Sequence, residues 1–165
     1  MAMSDALDFL FERIATFVAA ATLTLALAVM AAQVVFRYVF SDSLMWSEEV
    51  ARYALVWSSM VGAAVAYRQG GHVAVTDLVV RLPALLQALA VRVVHLLILG
   101  FAVLLTWQGW SLTMRSFARN QMTAALEMDI AWIQLAIPVG GALMIIVALE
   151  AIWRGPHPSS GVTSV

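Results

Sequence analysis

From Ile14 to Phe36 the chain runs 23 residues without a charged side chain. A helix of that length, rising 1.5 Å per residue, spans roughly the 30 Å of hydrocarbon in a bilayer. Three more candidate crossings of comparable length follow, about 44–67, which carries Glu48, Glu49 and Arg52 near its start, 93–114 and 130–149. The composition agrees: 63% of the residues are hydrophobic and 12% charged, against about 25% charged in soluble domains. The expected fold class is all-α integral membrane. It comprises four transmembrane helices in one domain, residues 1–150, with an interfacial amphipathic arm between the second and third and a disordered tail over 151–165.

The N-terminal stretch Met1 to Arg13 holds Asp5, Asp8 and Glu12 against a single Arg13. A signal peptide starts with a basic region and a short apolar one, so this segment predicts an uncleaved first helix. Ser41, Asp42 and Ser43 are candidate N-caps for the second. Ala15, Ala19, Ala28 and Ala32 have the spacing by which small residues bring membrane helices together. Residues 72–91 resist a crossing assignment, because the uncharged run from Leu82 to Val91 is too short to span and Asp77, Arg81 and Arg92 would be buried. Gly70 and Gly71 break the preceding helix and Pro83 sits where another begins, which predicts a partly helical arm along the membrane surface. Pro138, Val139, Gly140 and Gly141 interrupt the last crossing and predict a kink that lets a neighbouring helix approach closely.

Four crossings place both termini on one side. That side carries Arg13, Arg68, Arg81, Arg92 and Arg154, and the other Arg37, Arg52, Arg115 and Arg119, so the positive-inside rule favours cytoplasmic termini by one residue. A net charge of -1 gives no electrostatic reason to expect nucleic acid. With no cysteine there is no thiolate chemistry, no Ser/His/Asp arrangement or phosphate loop is visible, and His72 beside Asp77 lacks a third metal ligand. Neither catalytic residues nor a cofactor or metal site is expected.

The polar residues gather at the two ends of the second helix. Trp46, Glu48, Glu49, Arg52 and Tyr53 lie at its start, and Arg68, His72 and Asp77 follow its end. One reading is an interfacial cap with a Glu48–Arg52 pair four residues apart. The other is a docking surface, since charges beside hydrocarbon are expensive unless partnered. Gln33 and Gln108 are expected to bond between helices, and His95 to be a satisfied polar residue near a helix end.

These motifs resemble the small membrane subunit of tripartite ATP-independent periplasmic (TRAP) transporters, the DctQ-like family, from about residue 34 to 141. The resemblance rests on Phe36-Arg37-Tyr38, on Trp46, Glu48, Glu49, Arg52 and Tyr53, on Gly62, on Arg68, Gly70, Gly71, His72 and Asp77, on Leu82-Pro83, and on Pro138-Val139-Gly140. It departs at Met128 to Trp132, where the family has an Ile-Pro-Trp type of start to the last helix. The resemblance implies a bacterial inner-membrane subunit with cytoplasmic termini. It implies a scaffold for a large membrane subunit that carries substrate and sodium, with a periplasmic binding protein delivering an organic acid. Two rivals come from other classes. A membrane anchor of a redox enzyme would need haem or quinone ligands. A small homodimeric exporter would need an embedded coupling carboxylate, and the first helix has none.

Overall fold

The computed structural model describes residues 9–41, 44–69 and 83–154, and every named element among them is helical. A π-helical turn, Phe9–Ala15, leads into α1, Thr16–Val39. Then come α2, Met45–Arg68, α3, Ala84–Ala118, the single turn α4, Ala131–Gln134, and α5, Ala136–Arg154. Three segments are long and apolar enough to cross a membrane: Arg13–Val39, Leu89–Ala118 and Ala131–Trp153. The 24 residues of α2 suffice in length, about 36 Å, but Glu48, Glu49, Arg52 and Arg68 lower its apolarity, so four crossings rest on its length and packing alone.

The helices pack in the order α1, α2, α5, α3, which places α2 and α5 inside and α1 and α3 at the margins. In α1 only Ala26 and Gln33 are buried, whereas α2 buries Ser47, Ala51, Ala54, Val61, Ala64, Val65 and Tyr67. Steps of three and four residues along Ser47, Ala51, Ala54, Ser58, Val61 and Val65 make a straight seam, the repeat that lets two helices stay in contact over many turns. The facing residues of α1 repeat in the same way: Ala15, Ala19, Thr22, Ala26, Val29 and Gln33. Lipid tails give apolar helices no reason to prefer one another, so close approach of small side chains and interhelical hydrogen bonds must hold this pair. Ser58 supplies one such bond, its hydroxyl donating to the Ala19 carbonyl at 2.9 Å. Of the four alanines expected in the packing, Ala15 and Ala19 lie in this seam while Ala28 and Ala32 face outward. Near the end of α2 the core is Phe11, Ala15, Val61, Ala64, Val65, Tyr67, Val147 and Ala148.

Several boundaries differ from those expected. The third helix starts at Ala84 rather than 93 and runs 35 residues, about 52 Å. Residues 84–91, assigned to a surface arm, are thus continuous with the crossing. Arg92 is exposed on this helix, and a single charged side chain does not end a helix whose neighbours are good helix formers. The rest of the arm, with His72 and Asp77, and the tail beyond Arg154 lie outside the described residues. The N-cap of α2 is Leu44, with no capping side chain, and Ser41 adopts a left-handed φ of 54°.

The last crossing is interrupted at Leu135, ahead of Pro138. Proline has no N–H to give the carbonyl of Gln134, four residues back, so the ladder loosens there. It recovers at once through Val139 N–H to the Leu135 carbonyl, 3.2 Å.

Candidate partner interface

At the start of α2 the two glutamates have separate tasks. Glu48 accepts a hydrogen bond from Gln33 Nε2 at 3.2 Å, which ties the end of α1 to the start of α2. Gln33 therefore bonds between helices as expected. The Glu48–Arg52 ion pair of the capping reading does not form among the described residues. Glu48 turns to the α1 side, where Gln33 is buried and in need of an acceptor, and Arg52 extends outward, exposed.

Glu49 points to the connection between α3 and α4. One carboxylate oxygen accepts the Ala125 N–H at 3.1 Å and the other the Leu126 N–H at 3.0 Å. The tip it holds belongs to a small hairpin-like loop. Met122 bridges Asp129 antiparallel, Thr123 N–H donates to the Met128 carbonyl at 2.8 Å, and Ile130 N–H to the Gln121 carbonyl at 2.9 Å. Asn120 and Glu127 turn the chain with φ of 46° and 50°, a region asparagine tolerates better than most residues. Thr123 and Tyr53 lie beside the carboxylate. A carboxylate accepting two backbone N–H groups is a strong, directional clamp, so Glu49 fixes this loop over the start of α2. Replacing Glu49 with alanine is expected to leave the amides of Ala125 and Leu126 exchanging with solvent at the rate of an untethered loop while the helix amides keep their protection. Hydrogen exchange read by mass spectrometry checks it.

The second cluster closes the opposite end of α2. Arg68 Nε donates to Glu150 Oε2 at 3.1 Å and Nη2 to Oε1 at 3.0 Å, a two-pronged ion pair between α2 and α5 with side-chain exposures of 13% and 10%. The guanidinium also sits 5.2 Å from the ring centre of Phe11, which is buried. Next to it, the Tyr67 hydroxyl is 2.7 Å from His95 Nδ1, joining α2 to α3. His95 is therefore a satisfied polar residue as expected, although it lies well inside α3, which begins at Ala84, rather than near a helix end. Glu150 was missed from sequence as a partner for Arg68, although both stand at helix ends that the topology puts on one side.

The anticipated residues thus divide into two groups at opposite ends of α2. Trp46, Glu48, Glu49, Arg52 and Tyr53 form one, and Arg68 belongs to the other. Within the first, Glu48 and Glu49 bond inside the chain, and Trp46, 43% exposed, and Arg52 are left facing outward. Among the described residues no group of three or more histidine or acidic side chains could hold a metal ion.

Residues 26–156 match the family described as tripartite ATP-independent periplasmic transporters, DctQ component. The chain is 29% identical over 143 residues to the sialic acid TRAP transporter small permease protein of Vibrio cholerae, covering 84% of this chain and 79% of the relative. It is 27% identical over 145 residues to the C4-dicarboxylate TRAP transporter small permease protein of the same organism, covering 74% and 62%. It is also 26% identical over 124 residues to the isethionate TRAP transporter permease protein of Oleidesulfovibrio alaskensis, covering 72% of this chain but 20% of that relative. With the match extending over most of its length, the chain belongs to the DctQ family, the small permease subunits of TRAP transporters.

Proposed function

We propose that this chain is the static companion of a large TRAP membrane subunit. In this reading it crosses the inner membrane four times with cytoplasmic termini, and the large subunit performs sodium-coupled uptake of an organic acid delivered by a periplasmic binding protein. The observation that carries the proposal is the relative in which the homologous segment makes up a fifth of a longer permease polypeptide. A segment that is fused into a permease in one organism and separate in another has a partner it must find when separate. Sialic acid, C4-dicarboxylates and isethionate, named for the relatives, are all organic acids, which supports the substrate class.

The internal bonding supports a scaffold. Gln33–Glu48, Glu49 with its loop, and Arg68–Glu150 hold the four helices in one arrangement, and their polar groups are engaged in structure. Trp46 and Arg52 remain for the partner: an exposed indole and guanidinium at the membrane boundary are residue types that anchor interfaces. Removing both (W46A with R52Q) is expected to lower recovery of the large subunit with this chain by roughly tenfold if they form a hot spot, while Gln33–Glu48 keeps the chain folded. Co-purification checks the interface, and uptake by vesicles checks the role. Vesicles holding both membrane subunits with the binding protein accumulate the acid, and those lacking this chain do not. Accumulation by this chain alone would overturn the assignment.

A further inference from the structure

The outer side of α3 carries a groove of about 670 Å³, lined by Val103, Trp107, Trp110, Met114 and Arg115, with Ile145 of α5 at its wall. We propose that it holds one glycerophospholipid, its phosphate on Arg115 and an acyl chain lying toward Val103. The proposal does not depend on the partner assignment above.

Depth argues for a lipid. From Arg115 to Val103 the helix rises about 18 Å, close to one leaflet, about 15 Å or half the hydrocarbon thickness. A partner helix would be held through both leaflets, and this groove serves one. Charge argues the same way. Arg115 is exposed, its Nη2 donates to Ser111 Oγ at 3.0 Å, and it joins no ion pair among the described residues. Its remaining N–H groups form a fork suited to a phosphate. No carboxylate is among the described residues that line the groove, and exposed Arg119 lies one turn further on. Trp107 and Trp110, 76% and 56% exposed, give rigid apolar walls below that level, and tryptophan favours the headgroup boundary. The leaflet is the one facing the α1–α2 connection, since α3 ends on that side.

The test is native mass spectrometry of the full-length chain in mild detergent, titrated with phosphatidylglycerol. A single lipid adduct is expected, weakened roughly tenfold by R115Q, which removes a charge-assisted bond. It should be unaffected by R37Q, an equal charge change at the exposed end of α1 on the same side. Diacylglycerol, which lacks the phosphate, should give no comparable adduct. Equal binding by R115Q, equal loss in R37Q, or equal binding of diacylglycerol would overturn the proposal. A photo-crosslinking side chain in place of Trp107 gives an independent reading in intact membranes. Lipid-sized adducts support it, and protein-sized ones would assign the groove to a protein instead.

Discussion

Replacing Arg68 with alanine and leaving Glu150 in place is expected to cost about 3–5 kcal/mol, because it takes the two-pronged cation away from a carboxylate that is nearly sealed from water. The paired groups are 13% and 10% exposed and joined by two hydrogen bonds of 3.0 and 3.1 Å. The Phe11 ring beside the guanidinium adds an attraction of about 0.5–2 kcal/mol that the alanine variant also forfeits. Glu150→Ala is expected to cost a similar amount by removing the acceptor of both of the arginine's bonds. Removing both charges together (R68M with E150L) should recover most of the loss, since well-packed apolar side chains of like volume often match a buried pair. Lysine at 68 should fall between, because its point charge cannot form the two parallel bonds. Thermal unfolding in detergent, followed by circular dichroism, separates these cases. If the double variant melts as low as R68A, the loss comes from packing, and the ion pair is not what holds α2 to α5.

That pair also shows how far the sequence could be read. The long uncharged runs disclosed the helices because hydrocarbon thickness dictates their length, and nothing else in the chain is so rigidly constrained. The end of a helix outside the hydrocarbon has no such ruler, which is why α3 begins at Ala84, ahead of the charge at Arg92. Arg68 and Glu150 lie 82 positions apart, and each alone reads as an interfacial anchor. Only after the topology has put both helix ends on one side does opposite charge become a reason to pair them. Glu49 was hidden for a different cause: it bonds to backbone N–H groups, which every residue has, so no side chain in the sequence advertises the contact. Gln33 was legible because a buried amide needs a partner, and the glutamate it found lies across a short connection; Gln108, expected to bond in the same way, is exposed on α3 and makes no side-chain hydrogen bond among the described residues.

Gly140 and Gly100 should respond oppositely to the same substitution. A Cβ built on Gly140 would stand 2.7 Å from Met60 Cβ and 3.1 Å from the Met60 carbonyl oxygen, while one on Gly100 meets nothing within 4 Å. Alanine raises helix propensity by about 0.5–1 kcal/mol over glycine, so G100A should be neutral or slightly stabilising. At Gly140 that gain is set against overpacking, which costs about 1–3 kcal/mol and sometimes more. The neighbour here is backbone and Cβ, which cannot swing aside, so the cost should win and G140A should destabilise. Valine at 140 should be worse still, forcing α2 from α5, and trimming Met60 to alanine should not rescue it because Cβ and the carbonyl remain. Gly141, one residue on and turned to the other side, faces α3: its added Cβ would lie 2.5 Å from Thr106 Oγ1 and 3.1 Å from Thr106 N. Two consecutive glycines thus let α5 approach two helices at once, the close approach expected of the Pro138 to Gly141 interruption, and G141V is expected to cost as much as G140V. Melting temperatures of these variants in detergent check this. A G140A chain that melts higher than the parent would mean that α2 and α5 are not in contact at Met60.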